Sequence, residues 1–249
     1  MQSDSVNLKQ DERIDNFLQA NIQIIQNPQY FMLSVDALLL ADFIELPKRS
    51  FHYVDFCCGN GVIPLLLSAR TDQNLLGIEL QEDLVDMARR SAQLNKVDGQ
   101  VTFLCQDLKE FKRPSGVLFD VVSCNPPYFV VEGSQAVHQL DSHAIARHEI
   151  YLKLEDWVDK ARQIMKTKGK LYIVHRPERL DDLMEVLLAK GFAVNRLKFV
   201  YSKPSGRAKT VLIEAIYQGG RQGVKVDPPF IVHQEDGSYS PEMLAIYHG

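Results

Sequence analysis

The chain has 249 residues, 45% hydrophobic and 24% charged, with a net charge of −4. This is ordinary globular composition, enough to bury a sizeable core as one large domain or one domain with additions at its ends. Its longest apolar runs, such as "VIPLLLSA", are too short to cross a bilayer, which takes about 20 residues, and the polar N-terminus "MQSDSVNLKQDERIDNF" has no signal-peptide apolar region.

Residues 1–33 read as a polar, irregular lead-in with one apolar patch, "IQIIQ", and a hairpin around "QNPQYF". "SVDALLLADFI" then predicts a helix, with Ser34 as N-cap and Asp36 in the first turn, where the helix dipole favours an acid. From 52 onward the pattern alternates. Strands are predicted at "HYVDFCC", "NLLGIEL", "QVTFLCQ", "FDVVSC" and "GKLYIVH". Helices start at "GVIPLLLSA" and run through "QEDLVDMARRSAQLN", "LEDWVDKARQIM" and "PERLDDLMEVLLAKG", the last begun by Pro177 and ended by Gly191. "FAVNRLKFVYS" and "KTVLIEAIY" close the series as strands, antiparallel at the edge. Apolar strands alternating with helices give an α/β fold: a doubly wound, seven-stranded, mostly parallel sheet with an antiparallel edge strand. It occupies 34–217, with 129–150 as a long functional loop and 218–249 as a Gly- and Pro-containing tail.

Four cysteines, Cys57, Cys58, Cys105 and Cys124, show no zinc-ligand spacing and read as buried thiols of a reducing cytoplasm, neither metal ligands nor disulfides. Charge is uneven. Residues 160–225 hold fifteen basic against five acidic side chains, a net of +10 that leaves −14 for the remainder. Such asymmetry suggests one face for a polyanion, although scattered solvated lysines would give the same count.

In a doubly wound sheet, ligands bind beyond the carboxyl ends of the strands. Four predicted strand ends carry distinctive residues. "VDFCCGNGVIP" offers Asp55 and the turn glycines Gly59 and Gly61, without the lysine of a phosphate-binding P-loop. Glu79 ends "LLGIEL", where an acid can hold ribose hydroxyls. Asp107 in "LCQDL" can accept from an adenine amine, cap the next short helix, or do both. Finally, "SCNPPYF" presents the Asn125 amide oxygen and a proline-fixed carbonyl at Pro126, followed by Tyr128 as a flat stacking face.

This set resembles the class I S-adenosylmethionine-dependent methyltransferases that act on amino groups, whose signature is (D/N/S)PP(Y/F/W). It is more closely similar to the bacterial tRNA (adenine-N6)-methyltransferases of adenine 37 in valine tRNA. "FMLSVDALLLADF", "GNGVIPLLL", "NPPYF", "ARHE", "HRPERL" and "KTVLIEA" carry that likeness over roughly 20–235. The resemblance implies that Asp36, Asp55, Cys57, Gly59, Gly61, Glu79, Leu80, Asp107, Leu108 and Asn125 surround S-adenosyl-L-methionine. Asp55 and the glycine loop would take its methionine end, Glu79 its ribose and Asp107 its adenine. Cys57 departs from the pattern, standing where the D-x-G-x-G-x-G loop has its first glycine. Asn125, Pro126 and Tyr128 would be catalytic. Pro127, Phe129, Arg147, Lys203, Arg207 and Lys209 would meet the substrate, a tRNA. No metal or membrane is implied, and a monomer or weak dimer is expected.

On that reading, Asn125 Oδ1 and the Pro126 carbonyl bond both hydrogens of an adenine N6 amine and aim its lone pair at the methyl carbon. Tyr128 stacks the flipped base. The motif also serves enzymes acting on glutamine amides of release factors, guanine N2 of ribosomal RNA and adenine of DNA. A catalytically inactive RNA-binding relative is a further alternative, and a nicotinamide oxidoreductase has no use for the motif.

Overall fold

The structure, a computed structural model, describes residues 6–17, 21–30, 35–126 and 152–248. A hairpin of β1 (Arg13–Phe17) and β2 (Ile22–Gln26) leads into helix α1 (Val35–Phe43). Then follow β3 (Tyr53–Phe56), α2 (Val62–Ser68), β4 (Leu75–Glu79), α3 (Glu82–Leu94), β5 (Val101–Cys105) and β6 (Phe119–Cys124). After 127–151 come α4 (Leu154–Ile164), β7 (Met165–His175), α5 (Leu180–Ala189), β8 (Phe192–Tyr201) and β9 (Ala208–Tyr217). Two short strands, β10 (Lys225–Val226) and β11 (Phe230–Ile231), precede α6 (Pro241–His248).

The main sheet runs β5-β4-β3-β6-β7-β9-β8, with β10 and β11 both pairing with β8. Strand order reverses at β3, whose two parallel neighbours are β4 and β6, so the crevice of a doubly wound fold opens above β3. Alternate strand residues feed two cores. Tyr53, Leu75, Val101 and Val121 pack with α1, α2 and α3 on one face, and Val54, Phe56, Ile78 and Val122 pack with Trp157, Ala161, Leu183 and Leu187 on the other. Buried residues at 84, 85, 87, 88, 91 and 92 give α3 its apolar stripe, and Glu82 and Asp83 complement the dipole of its first turn.

Two sequence expectations are corrected. The antiparallel strand is not at the edge: β9 lies between β7 and β8 and pairs antiparallel with both. The reason lies in the strands themselves. Thr210–Ala215 of β9 are buried continuously, as a central strand requires, while β8 mixes buried and half-exposed positions. The N-terminal hairpin also precedes "QNPQYF" instead of surrounding it, with Phe17 facing Ile22. Far from irregular, it is bound to α3: Ser91 Oγ accepts from Ile25 N at 2.9 Å, and Asn95 exchanges two bonds with the Gln23 backbone.

Candidate active site

The carboxyl ends of β3, β4, β5 and β6 converge on one edge, and each carries a residue expected there. The loop after β3 is a succession of left-handed conformations: Cys57 has φ 55°, Gly59 φ 56° and Gly61 φ 83°. Cysteine therefore occupies a position whose backbone suits glycine. A Cβ on Gly61 would lie 2.6 Å from Phe103 Cζ, which places this turn hard against β5. A Cβ on Gly59 would meet nothing within 4 Å among the described residues. Cys58 N donates to Ile78 O at 3.0 Å, tying the loop to β4.

Glu79 is buried and organises the loop electrostatically. Its Oε2 accepts from Gly59 N at 3.0 Å, and its Oε1 accepts from Leu80 N at 2.9 Å and Gln81 N at 3.0 Å. Three of a carboxylate's roughly four acceptor positions are thus occupied by backbone amides, leaving about one for a ligand hydroxyl. Asp107 Oδ1 accepts from Lys109 N at 2.8 Å and caps the short turn Leu108–Glu110. Cys57, Glu79, Leu80, Gln106, Asp107, Leu108 and Leu152 line one cleft. The larger cavity of about 850 Å³ lies elsewhere, over Leu76, Leu104 and Phe119 on the sheet face.

Asp55 is fully buried and in register with Ser123 of the neighbouring strand. The Ser123 hydroxyl donates to Asp55 Oδ1, and the Tyr53 hydroxyl completes the chain by donating to Ser123 Oγ at 2.6 Å. Asp55 Oδ2 has no hydrogen-bond partner among the described residues. Burial drives the Asp55 carboxyl up to about 8; the Ser123 bond opposes the shift and the nearby Glu79 charge adds to it. Burial likewise pushes the Cys124 thiol up, with further contributions from a hydrogen bond to Cys57 and the charge of Asp55.

Directly after Cys124, Asn125 is half-exposed and Pro126 buried. Pro127, Tyr128, Phe129 and Arg147 lie outside the described residues, as do Ser34 and the predicted loop 129–150. Asp36, in the first turn of α1, accepts from Thr210 Oγ1 at 2.8 Å; burial raises its pKa, against that bond and the charge of Arg176. Leu80 is exposed and Leu108 buried.

Much of the basic segment is balanced by acids within it or packed against it. Lys166 pairs with Asp120, Lys170 and Arg196 with Glu214, Lys190 with Asp159 and Arg179 with Asp182. Lys160 donates to the Lys109 and Phe111 carbonyls. Lys203, Arg207 and Lys209 are different. They are exposed, lie in or beside the turn that follows β8, and no acid among the described residues is in ion-pair contact with them. Because β8 runs in the same direction as β7, this turn is on the edge that carries Asn125.

Three contributors escaped the sequence reading. Asn60, between the loop glycines, is buried and donates to Ile25 O at 3.1 Å, locking the loop to the N-terminal hairpin. Tyr53 and Ser123 build the Asp55 network. Their alternation with Asp55 and Asn125 along β3 and β6 was visible, but only the strand register brings them into contact. Among the described residues no group of His, Cys, Asp and Glu could hold a metal ion, and no helix is long and apolar enough to cross a membrane.

Known proteins resemble the chain over most of its length. The chain is 27% identical over 225 residues to a tRNA1(Val) (adenine(37)-N6)-methyltransferase of Porphyromonas gingivalis, covering 86% of each chain. It is 26% identical to the like-named protein of Proteus mirabilis, over 84% of this chain and 83% of that one. The fold matches a crystal structure of a predicted O-methyltransferase from Agrobacterium tumefaciens with a TM-score of 0.65 at 21% identity, over 86% of this chain and 95% of the other. Residues 34–196, which hold the loop after β3, Glu79, Asp107 and Asn125, match the methyltransferase small domain, and the chain belongs to that family.

Proposed function

We propose that this protein is an S-adenosyl-L-methionine-dependent methyltransferase that methylates the exocyclic N6 of an adenine in tRNA, at position 37 of valine tRNA, as its relatives' names describe. The observation that carries the reading is adjacency: the Asn125–Pro126 strand end adjoins the β3 loop across a single strand pairing, Phe56 against Cys124. An acceptor array and a donor cradle are thus neighbours.

The residues present fit the donor. Asp55 Oδ2 is a buried acceptor without a partner among the described residues, suited to the methionine ammonium. Among the described residues, Gly59 has no neighbour that a side chain there would meet, Glu79 retains about one lone pair for a ribose hydroxyl, and Asp107 stands in the same cleft, where the adenine would lie. When bound, S-adenosyl-L-methionine supplies a methyl group already activated by its sulfonium. The protein's share is alignment. Asn125 Oδ1 and the Pro126 carbonyl accept the two amine hydrogens, hold N6 in line and stabilise the positive charge that grows on it. Pro126 lacks an N–H and has a fixed φ, so the array is rigid before substrate arrives. Tyr128 takes the stacking role. Lys203, Arg207 and Lys209 meet phosphates on the same edge. The enzyme works in the cytoplasm as a monomer or weak dimer, with the catalytic domain over 34–217.

The test is direct. Incubated with labelled S-adenosyl-L-methionine and total tRNA, total ribosomal RNA or release factor, the protein should label tRNA, and digestion should yield N6-methyladenosine. Label on protein and never on RNA would overturn the reading.

A further inference from the structure

We infer that the C-terminal segment, residues 230–247, is part of the RNA-docking surface: Glu235 fixes the basic turn after β8, and the His233–Tyr239 pair stacks an unpaired base of the bound RNA. The inference rests on the RNA-methylating reading above and extends it to a part of the chain outside the family match.

The segment is built onto the active edge. β11 pairs with the end of β8, and Val232 N and His233 N continue that ladder by donating to Tyr201 O and Ser202 O, each at 2.9 Å. Glu235 then holds the turn. Its Oε1 accepts from Ser205 N at 3.1 Å, its Oε2 from Ser205 Oγ at 3.2 Å, and its carbonyl from Lys203 Nζ at 3.1 Å. The acids here are engaged locally: Asp236 Oδ1 accepts from the Ser238 backbone and hydroxyl. Arg207 and Lys209 therefore keep exposed charges on a turn whose shape is fixed.

Beside that turn runs a ladder of rings. His233 stacks on Tyr239 (centroids 5.0 Å apart, 21° between planes), Tyr239 on Tyr247 (5.5 Å, 30°) and Tyr247 on Phe17 (6.2 Å, 18°). Its foot is anchored, because Phe17 is buried in the hairpin core and Met243 seats α6. Its head is His233, half-buried and backed by Tyr239, which is 39% exposed although a ring stacks on each of its sides. Near-parallel rings pre-ordered at the surface, next to fixed cations, are the combination that binds unpaired nucleotides, by stacking and phosphate contact together. A protein partner would not need both.

The test uses the full chain and measures tRNA binding across salt concentrations separately from turnover, with S-adenosyl-L-methionine affinity and melting temperature alongside. His233→Ala combined with Tyr239→Ala should weaken tRNA binding about tenfold, within the range for loss of one stacked base, and leave cofactor affinity unchanged. Tyr239→Phe should bind like the wild type. Glu235→Gln, a positioning change, should raise KM for tRNA without altering kcat. Arg207→Ala, at an exposed side chain that folding does not need, should reduce the salt slope by about one phosphate contact. If the wild type methylates tRNA while KM and salt slope stay the same in every variant, the surface is wrong. If the wild type binds tRNA with the expected sensitivities but methylates none, the surface stands and the substrate assignment falls.

Discussion

Asp55 and Ser123 face each other across the β3–β6 pairing, and the serine hydroxyl donates to one carboxylate oxygen while the other has no partner among the described residues. Burial raises this carboxyl to about 8, against about 3.9 in an unfolded chain. A raised acid is protonated more readily in the folded state than in the unfolded one. The cofactor-free protein should therefore lose stability as pH rises from about 4 to about 8, and Asp55→Asn should flatten that part of the profile. A bound ammonium would favour the ionised form, so cofactor binding at pH 7 should release up to one proton. Calorimetry in buffers of different ionisation enthalpy reads this, and equal apparent enthalpies in all buffers would contradict the assignment.

Cys57 at φ 55° bears a left-handed cost of roughly 1–2 kcal/mol that glycine would not. Glycine also loosens the unfolded chain, at about 0.4–1 kcal/mol. Cys57→Gly should thus stabilise the protein by about 0.5–1 kcal/mol in urea unfolding, with cofactor affinity retained or improved. A destabilised variant would mean that the Cys57 contact with Cys124 outweighs the backbone term.

Gly61→Ala should do the opposite. Its methyl would overlap Phe103 at a φ of 83°, and the two penalties together come to about 2–5 kcal/mol. Loss of cofactor binding should accompany the loss of stability, measurable as a fall in melting temperature that saturating cofactor fails to restore.

Asn125→Ala should lower kcat by about 10²–10³-fold, the range for removal of one preorganised polar group facing developing charge. Cofactor affinity should be nearly intact. A variant that no longer binds cofactor would move Asn125 from the acceptor side of the site to the donor side.

The parallel strands β3 to β7 and the residues at their ends could be read from the sequence, because a strand buried on both faces leaves an apolar run and the acid or amide that ends it stands out. Strand order could not. "FAVNRLKFVYS" and "KTVLIEAIY" both read as strands, yet which of them is central depends on continuous burial of 210–215, a property of the packed sheet. The β1–β2 hairpin was missed for a similar reason: its polar residues, such as Gln23 and Gln26, find partners on α3 and β1 that no local pattern announces. Net basic charge over 160–225 overstated the polyanion face, since acids outside that segment, Asp120, Asp159 and Glu45, pair with Lys166, Lys190 and Lys170. Among the described residues, the exposed cations of the segment outside any ion pair include the cluster at 203–209 together with Lys168, Arg221 and Lys225.

The bond from Asn60 to the Ile25 carbonyl sets a limit on how the protein can be shortened. The family match begins at residue 34, so a fragment trimmed to that boundary would look complete by sequence. It would lack the strand that holds the glycine loop from behind and would leave a buried amide searching for an acceptor, at a cost of about 1–3 kcal/mol. Domain boundary and functional boundary differ here by one hairpin.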